Sequence, residues 1–100
     1  MEIKGILIDP KDQVVTVAKE VQPGDQVYYS FEKNTREILS KAHIPQYHKI
    51  AAVHIAKGSK VYKYGEEIGT ATEDIEMGEW VHIHNLMSSC MIGQKVQVKS

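Results

Sequence analysis

Three segments of this chain repeat one seven-residue form: branched aliphatic, two residues, Gly, two residues, Val. They are VQPGDQV (residues 21–27), IAKGSKV (residues 55–61) and IEMGEWV (residues 75–81). Such a unit reads as a tight turn between two extended segments. Gly24, Gly58 and Gly78 supply the positive φ that other residues adopt only at a cost. Pro23 followed by Gly24 suits the central pair of a type II turn. A chain of 100 residues that reverses three times in one way is expected to be mostly β. The spacing is too short for a solenoid period.

The segments around these turns read as strands. Residues 13–21 (QVVTVAKEV) and 48–55 (HKIAAVHI) are β-branched and partly alternating, and further strands are expected at 60–65 and around 68–71. The C-terminal GQKVQVKS alternates Val96 and Val98 with Lys95, Gln97 and Lys99, a strand with one wet face whose lysines discourage edge pairing. One short helix is predicted. Asn34 with Glu37 three residues later resembles a capping box, TREILSKA follows, and Pro45 blocks continuation. No linker or second domain is visible, so residues 1–100 read as one small domain.

Composition narrows the function. Twelve Lys and Arg against 13 Asp and Glu leave a formal net charge of -1, so there is no basic excess to neutralise phosphates and nucleic acid is a poor partner. No apolar run is long enough to cross a bilayer, and Asp9 and Pro10 interrupt the N-terminal apolar stretch, so a cytoplasmic protein without a membrane partner is expected. A single cysteine, Cys90, excludes an internal disulfide framework and a cysteine zinc site.

Five histidines (His43, His48, His54, His82 and His84) are many for this length. In VHIHN (residues 81–85), an extended backbone puts Trp80, His82 and His84 on one face, with Val81 and Ile83 on the other. Two imidazoles can then reach a metal or a substrate, or simply line a wet sheet face; the spacing leaves these open. Zinc chemistry needs three or four ligands, which His48 or His54 would have to complete. Asn85 suits a turn at the strand end. Lys63, Tyr64, Glu66 and Glu67 are acid–base candidates, or solvated groups beside Gly65. No G-x-S-x-G elbow or phosphate-binding glycine loop occurs.

From Ile44 to Leu86 the residues HKIA, KYGEEIG, ATEDI and GEWVHIHNL occur in order and resemble the SAF-type small domain of the altronate and galactarate dehydratase family, which also includes the small subunit of sulfolactate sulfo-lyase. Asp12 to Val27 fits the preceding part of that domain more loosely, which makes residues 12–86 the best-supported part. The resemblance implies a β-clip fold of short strands and hairpins. It also implies the small subunit of a two-component, metal-dependent hydro-lyase acting on a sugar acid such as altronate or galactarate, or of a related sulfo-lyase. The chain would be inactive alone, with a large catalytic subunit as partner and iron(II) or manganese(II) in the assembled enzyme. The family's motif positions fall on His48, Lys63, Tyr64, Gly65, His82, His84 and Asn85. Of these, His82 and His84 are expected to move protons or contact the metal, Lys63 to hold the substrate's carboxylate, Asn85 to orient, and His48 and Tyr64 to complete the substrate site. Two positions depart from the family: Tyr47 stands where it has Gly, and His54 where it has Asp. A non-enzymatic SAF module that binds or senses sugar acids is the alternative.

Overall fold

The computed structural model describes residues 2–7, 9, 11–31 and 33–88; Cys90 and the strand expected near the C-terminus lie outside them. Among the described residues every regular element is a strand: β1 (Glu2–Ile6), β2 (Val14–Val17), β3 (Gln26–Phe31), β4 (Asn34–Leu39), β5 (Lys49–Ala51), β6 (Lys60–Lys63), β7 (Glu66–Ala71), β8 (Trp80–Val81) and β9 (Leu86–Ser88). One sheet has the order β4-β3-β1-β2-β5-β8, and a smaller one β6-β7-β9. β1 and β3 pair in parallel, the other strand pairs antiparallel. The mostly β expectation holds.

The turn unit occurs four times, not three. Ile44 to Ile50 is the fourth copy, with Tyr47 at the glycine position. The backbone there has φ of 93° at Gly24, 68° at Tyr47, 88° at Gly58 and 96° at Gly78. In each copy the next residue's N–H closes the turn: Asp25 donates to Gln22, His48 to Pro45, Ser59 to Ala56 and Glu79 to Glu76, at 3.0–3.1 Å. The turn residue's own N–H reaches outward to a neighbouring segment, as when Tyr47 donates to the Val17 carbonyl and Gly78 to that of Ala51.

The aliphatic ends of the four units build the core. Val21 bridges to Ile44, and Ile55 to Ile75. Val21, Val27, Ile44 and Ile50 belong to one buried cluster, with Ile3, Val15, Val17 and Ile38. Ile55, Val61, Ile75 and Val81 belong to a second, with Val14, Ala51 and Ala71. Each such side chain contributes about 1.5–3 kcal/mol by leaving water. Glycine turns and aliphatic anchors are thus one device used in pairs.

Two residues tie the sheets together. Asp12 accepts the backbone N–H groups of Tyr64 and Gly65, each at 2.8 Å, and so clamps the β6–β7 turn. Gln13 accepts from the Tyr62 N–H at 2.8 Å and donates to the Lys60 carbonyl at 3.1 Å. Both central residues of that turn have positive φ, 57° at Tyr64 and 80° at Gly65, the geometry of a type I′ hairpin.

Two expectations fail. Residues 34–39 form no helix: β4 pairs with β3 over six registers, from Phe31↔Asn34 to Gln26↔Leu39. A helix of two turns is unstable unless packed, whereas the hairpin satisfies the same backbone groups and buries Ile38. The strand expected through VHIHN ends at Val81, and the chain turns at residues 82–85. Ile83 consequently points out, 83% exposed, instead of sharing the buried side with Val81.

The glycines separate into mild and severe positions. A Cβ at Gly58 meets nothing within 4 Å, so Gly58→Ala is expected to cost only the conformational strain, about 1–2 kcal/mol. At Gly78 the same Cβ would also run into the Leu39 carbonyl oxygen. Gly78→Ala should lower the denaturant midpoint clearly further than Gly58→Ala. Equal midpoints for the two variants would contradict the packing described here.

Candidate functional site

The turn that ends β8 is organised by Asn85. Its side-chain oxygen accepts the His82 N–H at 2.9 Å, and its amide nitrogen donates to the Trp80 carbonyl at 2.9 Å. The Asn85 N–H in turn donates to the His82 carbonyl at 3.1 Å. Asn85 is 1% exposed, so it holds the loop rather than facing a ligand. The expected turn role is present, with the side chain spanning both ends of it.

This turn gathers the rings that strand alternation was expected to align. His82 stacks on Trp80 at 5.1 Å between centroids and 8° between planes. His84 lies 5.2 Å from the same indole, tilted by 45°. His48, just before β5, joins from the neighbouring segment, 4.7 Å from His82 and 5.7 Å from Trp80. The register pair Ile50↔Trp80 sets that approach. The Trp80 indole N–H lies 3.2 Å from His48 Nδ1. An indole can only donate, so Nδ1 accepts and the neutral His48 ring carries its proton on Nε2.

Beside His82 opens a cavity of about 250 Å³. Lys49, Lys63 and His82 bring polar groups to it, and Ile68, Ile83 and Leu86 form apolar wall. Lys63 extends from the end of β6, which Asp12 and Gln13 fix against the large sheet; its ammonium lies 4.8 Å from the Tyr64 ring centre. Lys49 is half-buried on β5, an interior strand of the large sheet. Burial lowers the Lys49 pKa below the ordinary lysine value, and the nearby Lys63 charge lowers it further. His82 is held below the ordinary histidine value, first by desolvation and then by His48, Lys49 and His84. It is therefore largely neutral at pH 7 and able to accept a proton.

Three of the five histidines converge; two do not. His43 pairs with Glu20 at 2.5 Å. His54 borders a separate cavity with Leu39, Lys41, Glu76 and Met77, whose charges Lys41 and Glu76 pair with each other. Of the other sequence candidates, Lys63 and His82 meet in the lysine cavity, and Tyr64 is half-exposed at the hairpin turn next to it. Lys49 was missed. Its place beside His48 in HKIA was the available signal, but its burial depends on β5 lying between β2 and β8.

The residues present do not fit a resident metal at His82 and His84. A closed site needs a third and fourth donor, and among the described residues no group of three or more His, Cys, Asp or Glu converges to hold an ion. The charges nearest His82 in the cavity are ammonium groups, which repel a cation and attract an anion.

Comparison with known proteins bears on what such a site serves. Residues 3–89 match the family model described as the altronate/galactarate dehydratase SAF domain, which extends the similarity beyond residues 12–86 at both ends. Altronate dehydratase of Bacillus subtilis (strain 168) is 31% identical over 80% of this chain, and that of Escherichia coli (strain K12) 36% over 80%. The match covers only 15% of either enzyme. The (2R)-sulfolactate sulfo-lyase subunit alpha of Chromohalobacter salexigens is 33% identical over 86% of this chain and 95% of the relative.

Proposed function

The chain belongs to the SAF-domain family of altronate and galactarate dehydratases, and from that membership we propose that it is the small subunit of a two-component lyase. The reaction removes water, or sulfite, from a small hydroxylated acid such as a sugar acid. The observation that carries this reading is the cavity in which His82 meets Lys49 and Lys63 beside an exposed apolar loop tip.

The chemistry requires a group that takes the proton next to a carboxylate and a group that aids departure of the neighbouring substituent. On this chain the neutral His82 ring is the proton acceptor, and the lysines oppose the substrate's negative charge. Trp80 holds His48 in one tautomer and His82 in one plane, so their nitrogens keep fixed directions. His84 is exposed and does not line the cavity. The divalent iron or manganese that the family implies belongs, on this reading, to the large subunit.

The large subunit is the partner because two forms of relative bracket this chain. In the altronate dehydratases the matched segment is a small part of a long polypeptide, and in the sulfo-lyase it is nearly a whole subunit called alpha. Ile83 lies between His82 and His84 and is 83% exposed, which makes it the natural anchor under a covering chain. Ile83→Glu is expected to weaken association with a dehydratase-like large subunit of the same organism by at least tenfold, measured by calorimetric titration, while the Tm stays within about 2 °C. Wild-type affinity in the variant would remove Ile83 from the interface. Failure of the wild-type chain to bind that subunit would sink the two-component reading.

A further inference from the structure

Lys49 and Lys63 line the His82 cavity together, and neither meets a carboxylate there. Lys41 pairs with Glu76, and Lys60 with Glu67 at 3.6 Å. Among the described residues no carboxylate lies within ion-pair distance of Lys49 or Lys63. No acidic residue lines their cavity either. Two like charges converging in a partly desolvated space oppose each other unless an anion joins them.

The strand register sets a buried polar group beside Lys49. Thr16 on β2 stands directly opposite Lys49 on β5, and directly opposed residues share a face. Thr16 is 8% exposed, and its hydroxyl is the buried side-chain atom without a hydrogen-bond partner among the described residues. A buried hydroxyl left unpaired is costly and marks a place where a further polar atom or water belongs. Thr16 is not part of the cavity lining, but it shares its row with the half-buried Lys49.

We propose that Lys49 and Lys63 form an anion subsite on this chain that takes the carboxylate or sulfonate group of a small hydroxylated acid. The cavity is below the ~300–1,000 Å³ of sites for drug-sized ligands, which suits a small acid. The half-buried Ile68 and Leu86 give it apolar wall, which reduces screening of the charge pairing. The two ammonium groups come from different sheets, so the subsite exists only when Asp12 and Gln13 dock the β6–β7 hairpin. The same cavity presents His82, which places the anionic head and the proton acceptor together. This inference deepens the lyase reading by assigning the acid head of the ligand to Lys49 and Lys63 of this chain alone, and it depends on that reading only for the hydroxylated part of the ligand.

The test uses the 100-residue chain without its partner. Galactarate and 3-sulfolactate are titrated separately while the lysine side-chain nitrogen signals and the His82 ring are followed by NMR. Galactitol and inorganic sulfate serve as controls. At least one acid should shift the Lys49 signal saturably, at least tenfold more tightly than sulfate, and galactitol should not. The acid that does so tells whether the head is carboxylate or sulfonate. Lys49→Met and Lys63→Met should each weaken binding at least tenfold, as expected for a lost charge-assisted contact, whereas Lys60→Met should not. The Lys63 variant keeps the test valid if Lys49→Met does not fold. No saturable shift with either acid, affinity no better than that of sulfate, or full affinity in Lys63→Met would overturn the subsite. Those outcomes, with the large subunit still bound normally, would leave the two-component reading standing.

Discussion

Replacing Asn85 with Ala is expected to destabilise the chain by about 2–4 kcal/mol, the largest single-residue effect on the fold anticipated here. Asn85 is almost wholly buried, and its amide serves the His82 N–H and the Trp80 carbonyl. Truncation strands both groups in a space where water enters poorly, and leaves a small void. For a domain of this size the loss corresponds to a fall of about 10–25 °C in Tm. Asn85→Asp should also destabilise, because a carboxylate keeps an acceptor for His82 but cannot donate to the Trp80 carbonyl. Trp80 is the single tryptophan, so intrinsic fluorescence reports the same loop directly. A Tm within about 2 °C of wild type for Asn85→Ala would show that the turn holds without its side chain.

Much of this fold was legible because its main device is local. A branched aliphatic, a turn glycine and a second aliphatic can be read within seven residues, and three of the four copies announce themselves. Ile44 to Ile50 escaped because Tyr47 occupies the glycine position, although the six-residue aliphatic spacing and Pro45 were available signals. Tyr47 accepts φ of 68° there because its side chain is exposed and its N–H is secured by the Val17 carbonyl. What depends on distant pairing was not legible. Asn34 and Glu37 imitate a helix start, yet β3 supplies a partner for every residue of β4, and that pairing wins.

The candidate site divides along the same line. VHIHN pointed to rings that the fold does bring together, by the wrong geometry. Strand alternation was expected to align Trp80, His82 and His84, but Asn85 closes a turn, and the rings meet by stacking on the indole instead. His48 and Lys63, drawn from the family resemblance, do arrive beside His82. Lys49 stayed hidden because a lysine next to a turn is usually solvated. Only the register that puts it opposite Thr16 and Val81 buries its stem.

The central claim is that this face performs chemistry once a large subunit covers it, and His82→Ala in the reconstituted two-chain enzyme tests it most directly. The half-exposed His82 ring gives up its stack on Trp80, worth about 0.5–1.5 kcal/mol, so the isolated variant should stay folded and melt within about 10 °C of wild type. Desolvation, aided by His48, Lys49 and His84, keeps it largely neutral at pH 7, ready to take a proton, and losing a positioned acid–base group costs roughly a hundredfold or more in turnover. His84→Ala should cost less, because His84 lies outside the lysine cavity. The wild-type pH–rate profile should show an acid limb below the ordinary histidine value of 6.5, where His82 gains its proton. Turnover on galactarate, altronate and sulfolactate, with iron(II) or manganese(II) supplied, is measured beside Tm for both chains. A hundredfold loss of kcat with the variant still folded at the assay temperature is the predicted result; full activity in His82→Ala, or a loss explained entirely by unfolding, would contradict the account.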